Sequence, residues 1–209
     1  MARIIFPAVS MESTNIELTW PGQRVHTSIY TGHTQVISRG VGRWQGVIAF
    51  PQQARVETPE QGGRLVGAAA IRAVDAFFAN AEGAVNVFDV PWEAVEQRQV
   101  DAIPDGTDVR LTSLTRTGST MQATLNYAAG LITGDRITID NRMFVLVTDL
   151  SGGVCTLSPQ RDLTVPDGGF AVDWRTPSCR MRLTESNPVS VIRNVDWVGP
   201  WSASVTDLI

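Results

Sequence analysis

The chain has 209 residues, 43% of them apolar and 18% charged, with a net charge of −4 at neutral pH. That length can bury a core as one domain or two, and the composition is too apolar for a disordered chain. Mild acidity leaves no basic footprint for nucleic acid, and no apolar run approaches the ~18 residues that cross a membrane. The stretch Met1 to Thr14 has one Arg and a short apolar run broken by Pro7, without the h-region of a secretory signal, so synthesis in the cytoplasm is expected. All 17 cations are arginine. Such a set suits planar, bidentate contacts at interfaces, and it is also what a GC-rich genome encodes.

The first third alternates in hydropathy. Asn15 to Trp20, Arg24 to Tyr30 and Thr34 to Gly40 are short, β-branched and bounded by Pro-Gly or Thr-Gly turns, the pattern of half-buried strands. "RWQGVIAFP" predicts a further strand ending at Pro51, because proline cannot donate to a ladder. One helix is then predicted in "GRLVGAAAIRAVDAFFANAEG". Its apolar stripe is Ala70, Ile71, Val74, Phe77, Phe78 and Ala81, with Arg72, Asp75 and Ala79 off the stripe and Gly83 at the expected C-cap. Ala84 to Trp92 predicts another strand, ending at Pro91.

From Asp101 to Arg182 the chain reads as strand and turn. Thr107 to Thr115 and Ser119 to Ala128 alternate. Gly134 to Leu150 predicts a hairpin turning at Asp140-Asn141. Gly152 to Gln160 and Gly168 to Trp174 predict two more strands. So many short strands in about eighty residues predict a small barrel of the OB kind. The tail returns to longer strands that complete the first module's sheet. The expected fold is therefore mainly β, of the α+β kind. A β-sandwich module with one helix, 1–97 and 177–209, carries an inserted OB-like barrel, 98–176.

No motif for catalysis stands out. His26 and His33 lie in the strand region without a Ser or Cys at a familiar spacing, which suits solvated or hydrogen-bonded strand histidines. The glycines of "RGVGRWQG" are spaced wrongly for a phosphate fingerprint and lead into a strand rather than a helix. Asp167 and Asp173 flank two glycines but lack the closing Glu of a calcium loop. Glu93, Glu96 and Asp101 read as a solvated linker face. Cys155 and Cys179 have no metal-binding neighbours, so a zinc site is not expected; they could pair or remain buried thiols. Neither enzymatic activity nor a cofactor is expected.

The order of these pieces resembles a known family. "GRWQGVIAFP", followed by "AVDAFFANAEGAVNVFDVP", is similar to the N-terminal module of siphophage distal tail proteins. "AAGLITGDRITIDNRMFVLVTDL" with "VCTLSPQRDL" resembles the OB-like insertion of such proteins, and "MRLTESNPVSV" their closing strands. The likeness runs from about Thr34 onward and rests on the co-linear order of its pieces. It implies a non-enzymatic virion protein of the tail tip, assembled as a hexameric ring between the tail tube protein and the tail hub protein. The tape measure protein and receptor-binding fibres would lie nearby. It implies no catalytic residue, no sequence-specific nucleic-acid binding and no membrane insertion.

A ring of identical chains needs anchors at its interfaces, where large rings and arginines are enriched. Arg43, Trp44, Trp92, Trp197 and Trp201 are the candidate interface residues. For the first two the alternative is internal, with Trp44 in the core and Arg43 on Asp75 or Asp89. A competing function is carbohydrate binding, with Trp92, Trp174 or Trp201 stacking on sugar. A minor hub component and a tail terminator are the other tail roles compatible with the pattern.

Overall fold

The computed structural model describes residues 3–9, 11, 13–20, 23–27, 34–38, 42–55, 64–81, 85–92, 96–118, 120–184, 190–193 and 196–207. Strands account for 48% and helices for 13%, against roughly 20–25% and 30–35% in an average globular protein, so the fold is mainly β. In chain order the elements are β1 (Arg3–Ile4), β2 (Ser13–Thr19), β3 (Gln23–Thr27), β4 (Thr34–Ser38), β5 (Arg43–Phe50) and β6 (Gln53–Ala54). Helix α1 (Gly67–Ala81), β7 (Val87–Pro91) and the short helix α2 (Gln97–Asp101) follow. Next come β8 (Arg110–Thr117), β9 (Thr120–Leu125), β10 (Arg136–Ile139), β11 (Arg142–Leu146), β12 (Val154–Ser158) and β13 (Phe170–Asp173). The chain closes with β14 (Ser178–Leu183), β15 (Ser190–Arg193) and β16 (Trp197–Asp207).

These elements form two compact units. One comprises Met1–Glu17, Trp44–Val90 and Arg180–Leu208; the other comprises Leu18–Arg43 and Pro91–Cys179. The second therefore starts and ends a few residues outside the expected 98–176. It also takes in 18–43, which the local pattern assigned to the first module. Strand periodicity identifies a strand but says nothing about which distant strands it joins.

The first unit is built on an eight-stranded mixed sheet in the order β1-β7-β14-β16-β5-β2, with β15 and β6 also paired to β16. β16 is its spine. Trp201 to Thr206 pair antiparallel with β5, Val205 to Asp207 with β14, and Trp197 and Val198 with β6. Alternate residues of β16 point inward: Trp201, Ala203 and Val205 are each at most 2% exposed. Helix α1 buries Ala70, Val74, Phe77 and Ala81, while Ile71 and Phe78 of the expected stripe are half-buried. The expected C-cap Gly83 lies outside the described residues. The Phe77 ring meets Phe88 of β7 edge-on at 4.9 Å, and meets Phe6 at 5.3 Å. Such edge-to-face pairs add about 0.5–1.5 kcal/mol beyond area burial. At Gly46 of β5 the backbone of β2 leaves no room for a side chain, which would start 1.8 Å from the Asn15 carbonyl oxygen.

The second unit contains a closed barrel in the order β10-β11-β12-β9-β8-β13. Leu111, Met121, Ile137, Ile139, Phe144 and Leu146 are fully buried in its core. β10 and β11 form the expected hairpin, with Ile139 opposite Arg142. Asp140 and Asn141 make the turn with φ of 50° and 59°, as a two-residue primed turn requires. β3 and β4 form a separate antiparallel pair, Val25 opposite Val36. The helix α2 was not anticipated. Its Gln99 is 5% exposed and its amide nitrogen donates to the carbonyls of Arg136 and Trp174, at 2.5 and 2.8 Å. A five-residue helix with so few apolar residues leaves no periodic signal to read.

Candidate functional site

The proposed interface residues fall into two groups. Trp44 and Trp201 are 3% and 1% exposed, so neither ring is available to a neighbouring subunit in this fold. Their positions on β5 and β16 point into the sheet's packed face, where a Trp side chain removes the most apolar area from water. Trp201 also has a polar anchor. Its indole Nε1 donates to Asp75 Oδ1 at 3.1 Å, and Arg193 holds the same carboxylate with both terminal nitrogens, at 3.0 and 3.1 Å. Asp75 was expected off the helix's apolar stripe, and it reaches across to β15 and β16 from there.

Arg43, Trp92 and Trp197 are half-buried. Trp197 opens β16 opposite Ala54. Trp92 follows β7; its backbone N–H donates to the Pro177 carbonyl at 2.8 Å, and the Arg136 guanidinium carbon lies 3.9 Å from the ring centroid. That contact is a cation–π pair, and burial pushes the Arg136 pKa downward. Arg43 opens β5. Its carbonyl accepts from Thr19 Oγ1 at 3.2 Å, and its Nε is enclosed with no hydrogen-bond partner among the described residues. It sits on neither carboxylate named for it: Asp75 holds Trp201 and Arg193, and Asp89 receives Arg3 at 2.7 Å and Arg180 at 2.9 Å.

The other candidates are accounted for locally. Trp174 is 6% exposed and the Trp92 ring carries Arg136. With Trp201 in the core, two of the three rings named for sugar stacking are buried, and the third, Trp92, is half-buried with Arg136 over one face. Asp173 accepts from the backbone N–H groups of Arg175 and Thr176, at 3.0 and 2.9 Å, as a turn-forming carboxylate does. Glu96 precedes α2, and Asp101 accepts from Gln97 at 2.9 Å. Glu93 and His33 lie outside the described residues; His26 falls in β3, whose backbone alone is described. Cys155 and Cys179 are buried thiols not joined in a disulfide, and burial pushes the Cys155 thiol up to about 11. Among the described residues no three His, Cys, Asp or Glu side chains gather as metal ligands would.

Three polar contacts escaped the sequence reading: the Asp75 clamp, the Arg3–Asp89–Arg180 triad and the Arg136–Trp92 pair. All join residues far apart in the chain, and the only hint was that the cations are all arginine. Comparison with family models and with curated proteins finds no match.

Proposed function

We propose that this chain is a structural ring component at the tip of a long, non-contractile bacteriophage tail. The observation that carries the reading is the nesting of one body within another: a closed six-stranded barrel, within 91–179, interrupts a mixed sheet that carries one helix. The same organisation is implied by the resemblance of the chain's segments to distal tail proteins. In this reading the sheet and α1 serve as the tube-like β-sandwich module and the barrel as the OB-like insertion. Copies close into a hexamer that joins the tail tube protein to the hub protein. Arg43 supports an assembly role, because a half-buried guanidinium with no carboxylate partner among the described residues suits a carboxylate on a neighbouring chain.

The test is the mass of the purified chain, alone and after mixing with a tail tube protein from the same phage, by light scattering on a sizing column. The expected result is a species of about six times 22.7 kDa, seen as a ring by electron microscopy. A 22.7 kDa monomer that neither self-associates nor joins the tube protein overturns the reading.

A further inference from the structure

The sequence uses one tripeptide twice. Pro104-Asp105-Gly106 and Pro166-Asp167-Gly168 contain its two Asp-Gly steps, and it has no Asn-Gly. Both fold the same way. The Thr107 N–H donates to the Pro104 carbonyl at 3.3 Å, and the Gly169 N–H to the Pro166 carbonyl at 2.9 Å. Gly106 and Gly168 have φ of 77° and 95°, as the third residue of a type II turn does. Both Asp-Gly pairs are exposed, and a side chain on either glycine would meet nothing within 4 Å. The two steps therefore share their local chemistry.

They differ in what holds the carboxylate. Asp105 is ion-paired with Arg175, whose other terminal nitrogen donates to the Ile103 carbonyl at 3.0 Å. That guanidinium ties the carboxylate down beside its own turn. Asp167 makes no hydrogen bond or ion pair with another described residue. Arg110 reaches its turn, but donates there to the Gly168 carbonyl at 3.1 Å and pairs with Asp108 at 2.7 Å.

We propose that Asp167 is a site of spontaneous isoaspartate formation. The Gly168 nitrogen attacks the carboxyl carbon of the Asp167 side chain. A new N–Cγ bond forms, and the carboxyl OH leaves as water with the amide hydrogen. Glycine has no Cβ to obstruct the approach. Water then opens the five-membered imide. Cleavage at the side-chain carbonyl restores Asp. Cleavage at the main-chain carbonyl leaves the chain running through the side chain and frees the α-carboxylate. One water is lost and one gained, and nothing is oxidised or reduced. Asp105 has to leave Arg175 before it can follow the same course. Its side chain is 89% exposed, so the pair is weak and slows the reaction only about two- to fivefold. Rearrangement at Asp167 adds one carbon to the main chain just before β13. That turn has little slack. A side chain on Gly169 would begin 2.5 Å from the Leu111 carbonyl oxygen, and Phe170 pairs with Leu111. The added carbon therefore loosens the closure of the barrel between β8 and β13. The inference does not depend on assembly, because one chain contains both turns.

Ageing the full chain at pH 8 in heavy-oxygen water, followed by peptide mapping, tests it. Opening of the imide writes heavy oxygen into the peptide, and electron-transfer fragmentation locates isoaspartate within it. The expected result is labelled isoaspartate at Asp167, formed about two- to fivefold faster than at Asp105. Asp167→Glu, whose longer side chain must close a larger ring, is expected to abolish the signal at that position. Arg175→Ala is expected to raise the rate at Asp105 to that at Asp167. Added salt, which screens the same exposed pair, is expected to do so without a substitution. In urea the two turns are expected to react alike. Absence of isoaspartate at Asp167 in the folded chain overturns the proposal. So do equal rates at the two turns in the folded chain at low salt, or isoaspartate that carries no heavy oxygen. A rate at Asp105 unmoved by both Arg175→Ala and salt overturns the part given to the ion pair.

Discussion

Trp201 Nε1 and Asp75 Oδ1 are 3.1 Å apart across 126 positions of sequence. This bond fixes α1 against β16, and Arg193 closes it from the far side through the same carboxylate. The two contacts differ in environment. The indole is in the core, whereas the Arg193 side chain is 52% exposed and solvent weakens its attraction. Asp75→Ala is expected to cost about 2–3 kcal/mol, because it strips a buried donor of a charged acceptor. Arg193→Ala is expected to cost under about 1 kcal/mol. Urea denaturation of both variants checks the ranking, and equal losses would contradict it.

Gly46→Ala tests the close approach of β2 to its neighbour β5. The added methyl would lie 1.8 Å from a backbone oxygen, so no side-chain rotation relieves it and the strands must part. A loss of about 3 kcal/mol or more is expected, read as a drop in Tm of roughly 6–12 °C. Gly118→Ala is the control. Its φ of 59° disfavours any side chain, but open space surrounds it, so the cost is expected to stay near 1–2 kcal/mol.

Cys155 links stability to alkaline pH. Its thiol stays neutral in the folded barrel up to about 11, against 9.0 for a free thiol. Between those values the unfolded chain loses the proton first. It then binds fewer protons than the folded chain, and unfolding becomes easier as pH rises. Stability measured by urea titration is expected to fall from pH 9 toward 11, with a shallower fall in Cys155→Ala. Below pH 9 this contribution is fully present and flat. Thiol reagents at pH 8 are expected to spare Cys155 in the native protein and label it in urea.

The Asp140-Asn141 turn sets the register of β10 and β11. Both residues have positive φ, which Asn and Asp tolerate and β-branched residues resist. Asn141→Val is expected to cost about 1–2 kcal/mol, and Asn141→Gly to be neutral or slightly stabilising. Thermal melts of the two variants should move in opposite directions or differ by several degrees.

That turn was also the most legible part of the sequence. A two-residue Asp-Asn loop between alternating apolar runs specifies its hairpin locally, as the Ala-rich stripe of α1 specifies a helix. What stayed hidden depends on distant partners. The run from Gln23 to Ser38 reads as strands, yet nothing local in it says that 18–43 belongs with the barrel. Trp201 and Trp44 look like interface anchors from composition, because a large ring suits a core and an interface equally well. Gln99 has no sequence signature, since its two acceptors are carbonyls 37 and 75 residues away.

The place of β16 has a bearing on birth at the ribosome. It emerges after β5, β6, β14 and β15, and all four lean on it. The barrel strands, by contrast, are complete once Asp173 has been made, so the nested body can fold while its host is still open-edged. Until Asp207 is made, β5 and β14 lack the neighbour that pairs with them, and the nascent polypeptide carries sticky strands in need of shelter. A stalled or truncated translation product ending before β16 should thus retain a native barrel and aggregate through the rest.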